Sequence, residues 1–274
     1  MSSLTFGPPV TLNGPRPKAP LHSLLATPGV LQDDGTDRWI NGVTVYPYPI
    51  DTPGTWDPCS TGTFREKDEG SEIPLPVFAS FVVYLPITCT AMSIGDPVEF
   101  ANRAEIALDA VESFAVEEQL SQGTGIPTNP YFSDGAVDIL AGGAAVSPFV
   151  GLSYLEDAIG ETGKYGFVHA TPAVGSQWFA GDRRYPQVTP NGNQVVLGGG
   201  YIGAQPSGGN AAAAGQAWAF ATGPVEVRHS DVAVMEISEV LDRATNDVTF
   251  RAERYVLAEW DTALQAAVLI DWSP

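Results

Sequence analysis

The pattern closest to a chemical motif is the run GGGYIG at residues 198–203, which satisfies G-x-G-x-x-G after the apolar stretch QVVL. In a dinucleotide-binding protein such a loop opens a helix whose N-terminus faces the pyrophosphate. Here the sequence PSGG follows at 206–209, and these residues do not support a helix. We therefore predict a turn at these glycines and no nucleotide cofactor.

Nucleophilic catalysis is a second chemistry to consider, and it requires a histidine beside a serine or cysteine and oriented by a carboxylate. The chain has three histidines, His22, His169 and His229, and no G-x-S-x-G nucleophile elbow. His169 lies in the apolar stretch YGFVHA, which favours a hydrogen-bonded core residue. We predict no catalytic residues of this type.

Paired carboxylates could serve a glycosidase, and Glu117 and Glu118 are adjacent. Consecutive helical side chains point about 100° apart, so the two cannot converge on one bond, and we expect both on a solvated helix face. The acidic residues Asp33, Asp34 and Asp37 lack the glycine and glutamate of a calcium loop, so we predict no metal site. A glycan-acting or glycan-binding protein stays open as an alternative, because the chain has six tryptophans.

The composition argues against further classes of function and indicates the type of fold. A net charge of −19 with only 13 basic residues argues against a nucleic-acid binder, and 29 glycines and 23 prolines indicate a β-rich chain with many turns. Cys59 and Cys89 have no metal-ligand spacing, and we expect free thiols unless their segments pair. We find no secretory signal and no apolar run of about 18 residues, so we expect cytoplasmic synthesis and no membrane span.

The first 92 residues predict an arm followed by a long excursion. Residues 1–30 are proline-rich with no periodicity, and they contain Arg16 and Lys18 but no acid. We expect an extended arm, either a flexible terminus or a segment lying along an acidic surface. Strand-like stretches at 38–48 and 78–92 are separated by some thirty polar, turn-rich residues. Such a long loop is typically functional, disordered or laid across a neighbour.

The clearest local signal is a long helix. Asp96 can cap it, Pro97 suits its first position, and Glu99 completes a capping box. Gly123 is a natural end, which gives about 26 residues and roughly 39 Å. We expect this helix to lie half-buried against a sheet. Its apolar face is predicted to consist of Ala104, Ala107, Leu108, Val111, Phe114 and Ala115.

The remainder alternates short helices and strands. We predict a helix at 148–162, a buried strand at 165–170 and a further helix at 172–179. Residues 183–215 are expected to be loop and short strand, with a flexible PSGGNAAAAG segment. Strands are predicted at 218–222, 225–228, 232–240, 246–260 and 266–272.

The order of these parts resembles the major capsid proteins of tailed bacteriophages with the Hong Kong 97-type fold. The excursion between strands looks like the family's E-loop, and PVEFANRAEIALDAVESFAVEEQLSQGTG looks like its spine helix. The C-terminal sequence NDVTFRAERYVLAEWDTALQAAVLIDW resembles the closing strands of the peripheral domain. The resemblance implies an α+β fold with arm 1–30, E-loop region 31–92, spine helix 93–128, axial domain 129–215 and peripheral strands 216–274.

The resemblance also implies a function. It indicates a non-enzymatic subunit that self-assembles into an icosahedral virion shell, built in the host cytoplasm and enclosing the genome. Its partners would be copies of itself in hexamers and pentamers, scaffolding, portal and decoration proteins, and packaged DNA through weak non-specific contact. An encapsulin-like cellular shell protein, which uses the same fold, and a decoration or tail protein remain alternatives.

Four residues are candidates for contact between subunits. Trp39 and Trp56 lie in or beside the polar excursion, and aromatic residues are enriched at interface centres. Some members of the resembled family crosslink neighbouring subunits through a lysine of the E-loop and an asparagine of the peripheral domain. The matching positions here are Lys67 and Asn246.

Overall fold

The structure is a computed structural model that describes residues 14–32, 35–46, 75–90, 97–140, 142–179, 188–236 and 247–273. Within these ranges, one long helix packs against a four-stranded sheet and against the glycine turn beside a five-stranded sheet. The mixed α and β composition that we predicted is confirmed. No helix in the described part of the chain combines the length and apolarity that a membrane crossing requires.

The long helix, α1, spans Pro97–Gln122 and matches its predicted bounds. It ends because Gly123 adopts a φ of 67°, and a Cβ there would lie 2.6 Å from the Tyr131 ring. The predicted capping partner Asp96 lies outside the described residues, and the Glu99 carboxylate instead accepts a hydrogen bond from Arg103. The bounds of this helix therefore follow from local signals.

The buried face of α1 differs from the predicted one. Ala104 and Leu108 are buried as expected, but Val111 and Phe114 are 46% and 50% exposed. The predicted stripe is wrong there because the C-terminal half of the helix turns a polar side toward the protein interior. The buried residues of that half are Glu112, Ser113, Val116, Glu117, Gln119, Leu120 and Ser121.

The four-stranded sheet is antiparallel and is built around one long strand, β10 (Asp247–Trp260). On one side β10 pairs with β3 (Phe81–Thr90), and on the other with β8 (Val225–His229) and β9 (Ala233–Glu236). Alternate residues of β3 and β10 are buried, and α1 packs on this sheet. The predicted half-buried position of the helix is thereby confirmed.

The five-stranded sheet has the order β4-β11-β7-β5-β6. Two short helices, α3 (Pro148–Glu161) and α4 (Pro172–Trp178), contribute to the apolar core on it, and α2 (Phe132–Gly135) lies beside α1. The predicted helices at 148–162 and 172–179 are confirmed. The strands of the sheet are β4 (Val137–Asp138), β5 (Phe167–Ala170), β6 (Gln194–Leu197), β7 (Gln216–Thr222) and β11 (Gln265–Asp271).

Strand pairing departs from the predicted grouping of residues 216–274. β7 and β11 pair with each other, and β7 also pairs with β5, so both belong to the five-stranded sheet. Among the described residues of that C-terminal region, β8, β9 and β10 lie in the four-stranded sheet. The chain thus passes between the two sheets at residues 223–224 and 261–264, which strand propensity does not reveal.

The predicted strand at 38–48 is wrong over most of its length. Residues Arg38–Asn41 form a 3₁₀ turn, and Gly42 at a φ of 90° precedes a two-residue strand, β1 (Val43–Thr44). β1 pairs antiparallel with β2 (Val77–Phe78), so the two ends of the polar excursion meet. The glycine conformation interrupts the extended backbone that the β-branched residues favour.

The predicted arm becomes part of the folded body in its second half. Residues 14–20 are exposed and have no regular structure, whereas Leu24 and Val30 are fully buried. The backbone of Val30 and Gln32 exchanges hydrogen bonds with Val227 of β8. The proline-free stretch 21–27 supplies the donors and apolar side chains that make this packing favourable.

Candidate functional site

A buried carboxylate on α1 lies where the N-terminal segment and the glycine turn meet the helix. Glu117 is 1% exposed, and its Oε1 accepts hydrogen bonds from the Leu24 amide at 2.9 Å and the Ser113 hydroxyl at 3.0 Å. Its Oε2 accepts a hydrogen bond from the Gly200 amide at 3.1 Å. Burial raises the pKa of Glu117, and the three hydrogen bonds act in the opposite direction. The predicted solvated position of Glu117 is therefore wrong.

The glycine run explains how this carboxylate is enclosed. A Cβ at Gly198 would lie 2.0 Å from Glu117 Oε2, and one at Gly200 would lie 2.5 Å from the backbone of Phe114 and Glu118. Residues Gly199–Tyr201 form the predicted turn, here a 3₁₀ turn after β6. The missing side chains allow the turn to approach α1 closely, and the amide of Gly200 is engaged by Glu117.

The surrounding contacts join three segments that are distant in sequence. The Leu197 amide donates to the His22 carbonyl at 2.7 Å, and the Leu25 amide donates to Ser113 Oγ at 3.3 Å. The Ser121 hydroxyl donates to the Gly200 carbonyl at 3.0 Å. The N-terminal segment, α1 and the end of β6 therefore meet here. We call Leu24, Ser113, Glu117, Gly198 and Gly200 the Glu117 junction.

His169 lies beside this junction, in the middle of the five-stranded sheet. Thr222 Oγ1 donates to the Gly223 carbonyl and so accepts from His169 Nε2 at 2.9 Å, which leaves Nδ1 to accept from the Tyr201 hydroxyl at 3.0 Å. Burial lowers the pKa of His169 to about 3. His169 is thus a neutral, hydrogen-bonded core residue, as the sequence predicts.

A second polar network holds α1 to the four-stranded sheet. Arg254 of β10 contacts Glu112 Oε2 and Asp109 Oδ1, each at 3.0 Å, and its Nη1 lies 2.8 Å from His229 Nδ1. Glu112 is buried, so its charge is balanced by the guanidinium rather than by water. Sequence reasoning missed this group, since the only signal was an arginine in a strand and carboxylates on a helix.

The structure describes one of the four predicted contact residues, Trp39. Trp39 is 6% exposed and packs in the core of the chain. Trp56, Lys67 and Asn246 lie outside the described residues, as do Cys59, Asp33 and Asp34, and nothing is described of the Cys89 side chain. Among the described residues no group of three His, Cys, Asp or Glu side chains could hold a metal ion. Trp218 and Trp260 are buried core residues, as expected.

The described part of the predicted arm lies along α1. Arg16 and Lys18 line a shallow cleft together with Ile106 and Asp109 of the helix. The basic residues of the arm therefore lie beside Asp109 of α1 within the same chain.

No family model matches this sequence, and no curated protein does. Solved structures do match over nearly the whole chain. The capsid of the empty GTA particle matches with a TM-score of 0.57 and 13% identity over 98% of this chain and 96% of that chain. The chain has the phage-capsid fold. Structures of Mycobacterium phages Cain and Che8 match with TM-scores of 0.52 and 0.50, identities of 12%, and coverage of 96% and 98% of this chain and 93% and 98% of theirs.

The two polar networks have one element in common. Both lie on α1, and both connect it to elements far away in sequence: the N-terminal segment, the turn after β6, and β10. Glu117 and Glu112 each have partners on another element, which is the arrangement expected of residues that fix how elements pack. The resemblance inferred from element order is confirmed at the level of the fold.

Proposed function

We propose that this protein is the structural subunit of the head shell of a tailed bacteriophage. The observation that carries the proposal is the match to the GTA-particle capsid across 98% of this chain and 96% of that one. Many copies would close into an icosahedral shell that encloses the genome, assembled in the host cytoplasm and retained in the virion. The chain would act without catalysis.

Within this proposal α1 is the spine helix of a Hong Kong 97-type subunit, and the polar excursion within the region 31–92 is its E-loop. The pairing of β1 with β2 supports this assignment, because it brings together the two ends of the polar excursion. The four-stranded sheet would form the peripheral domain and the five-stranded sheet most of the axial domain. The exposed stretch 14–20 would be the arm.

The charge of the chain bears on what the shell would contact. A net charge of −19 leaves only weak, non-specific contact with packaged DNA, and any scaffolding, portal or decoration protein would meet a predominantly acidic subunit. Contacts through Trp56 and a crosslink between Lys67 and Asn246 belong to the same proposal. Boiled, denatured particles on a gel test the crosslink, and a single monomer band would exclude it.

Expression of the chain alone, followed by negative-stain electron microscopy and sedimentation, tests the proposal. We expect closed particles or capsomer rings. A monomer that persists at high protein concentration would contradict a shell subunit and would favour a decoration or tail protein. Nuclease-protected nucleic acid in particles from infected cells separates a phage head from an encapsulin-like compartment.

A further inference from the structure

An uncharged cleft lies at one end of the five-stranded sheet. Its volume is about 570 Å³, and its walls include Ala211, Ala212, Pro172, Ile202, Trp218 and Trp272. None of the described residues that line it is charged, although the chain carries a net charge of −19. The alanine-rich segment that the sequence predicted to be flexible thus forms one wall of a defined surface.

The topology places this cleft at one end of the five-stranded sheet. β7 begins beside the cleft at Gln216, and β11 ends beside it at Asp271. The opposite ends of the same two strands, Thr222 and Gln265, lead to the four-stranded sheet. The cleft therefore lies at the end of the five-stranded sheet opposite these two connections, beside the glycine turn that contacts α1.

An exposed aromatic ring lies at the same end of the five-stranded sheet. Val146, just before α3, bridges to Ile270 near the end of β11, which places the first turn of α3 at this end of the sheet. Phe149 in that turn is 80% exposed, and Val150 and Tyr154 on the following turn are also exposed. The sequence of these two turns, PFVGLSY, carries no charge.

These two surfaces favour a second copy of the chain as the occupant. The lining has no basic residue to attract nucleic acid, and the acidic residue at its edge, Asp271, already accepts hydrogen bonds from Gln216 and Ser273. Two copies with a charge of −19 repel each other least where both surfaces are uncharged. A phenylalanine ring buries roughly 150–250 Å² when it is enclosed, and a cleft of this size accommodates it.

We propose that Phe149 of one copy inserts into the alanine-lined cleft of the next copy. The inserting and receiving surfaces differ, so the contact is head-to-tail, and repetition about an axis closes a ring. The proposal rests on the shell function above and adds to it the residues through which neighbouring copies of the chain make contact. It gives the alanine-rich segment a role in assembly.

Two charge substitutions test the contact: Phe149→Asp removes the inserting ring, and Ala212→Asp places a charge in the cleft. Both positions are exposed, so each variant should melt cooperatively at the wild-type temperature. We expect each variant alone to lose rings and particles in sedimentation and microscopy. Phe149→Leu keeps an apolar side chain and should retain rings, and so should Val137→Asp, an exposed position near the opposite end of the sheet.

A mixture of the two variants provides the sharper result. Phe149 of the Ala212→Asp chain can still enter the intact cleft of the Phe149→Asp chain, whereas the reverse contact is doubly damaged. We therefore expect heterodimers but no rings in a 1:1 mixture. Wild-type-like rings from either variant alone would overturn the proposed contact and leave the shell function standing. A wild-type chain that forms no rings or particles would overturn both.

Discussion

The backbone amide of Leu24 donates a 2.9 Å hydrogen bond to the carboxylate of Glu117, across 93 positions of sequence. This bond connects the N-terminal segment to the long helix at a point where water is excluded. Because the same carboxylate also accepts from Ser113 and Gly200, one side chain sets the relative position of three elements. Substitutions in this junction should therefore affect folding more than substitutions on the surface.

We predict that Glu117→Ala lowers the free energy of unfolding by at least about 2 kcal/mol, because it leaves buried donors without an acceptor. Glu117→Gln should also destabilise, since its amide would turn an N–H group toward one of the donors. Urea unfolding of the unassembled subunit measures both effects. Glu118→Gln, at the adjacent position, is the matched control and should change stability by less than about 0.5 kcal/mol. Equal losses of unfolding free energy at positions 117 and 118 would show that the Glu117 junction does not stabilise the fold more than a surface position does.

The close approach of the glycine turn to α1 predicts opposite outcomes for two glycine substitutions. Gly200→Ala places a Cβ 2.5 Å from the helix backbone and should destabilise the subunit by about 1–3 kcal/mol, because the two elements must separate. Gly160→Ala in α3 meets nothing within 4 Å and should be neutral or stabilising by up to about 1 kcal/mol. Thermal melts of the two variants measure these changes. A Gly200→Ala variant as stable as the wild type would contradict the close packing of the glycine turn on α1.

Arg254 and Arg103 allow a comparison of a buried with an exposed ion pair. Arg254→Ala leaves the buried Glu112 carboxylate without its cation and should cost about 3–5 kcal/mol of folding stability. Arg103→Ala removes a half-exposed pair with Glu99 and should cost less than about 1 kcal/mol. Added salt should reduce the second effect more than the first. Similar losses for both variants in chemical denaturation would contradict the assigned burial.

His169 predicts a pH dependence of stability in the acidic range. Its pKa is about 3 in the folded chain and 6.5 in the reference state, so between these values the unfolded chain binds the additional proton. This contribution to stability is fully present above about pH 6.5 and is lost as the pH falls toward 3, by up to about 1.4 kcal/mol per pH unit. His169→Gln lacks this titration, so its unfolding free energy should fall less steeply over that range. Parallel pH profiles for the two proteins would refute the prediction.

The helix boundaries could be predicted because they depend on local residues. Pro97 and Gly123 delimit α1, and Pro148 and Pro172 begin α3 and α4, since each restricts or frees the backbone at its own position. The order of these elements was enough to suggest the fold that the solved capsid structures then matched. Periodicity was less reliable for the buried face, where it selected Val111 and Phe114 and missed Glu117.

Sequence alone therefore determined the long helix, the glycine turn and most of the C-terminal strands, all of which follow from short-range backbone preferences. Only the tertiary structure decided which polar residues are buried, that β7 and β11 join β5 in one sheet, and that Arg254 meets Asp109 and Glu112. The physical reason is that a buried charge is stable only with a partner at hydrogen-bond distance. Glu117 has its partners at Leu24 and Gly200, 93 and 83 positions away, and the folded chain alone brings them together.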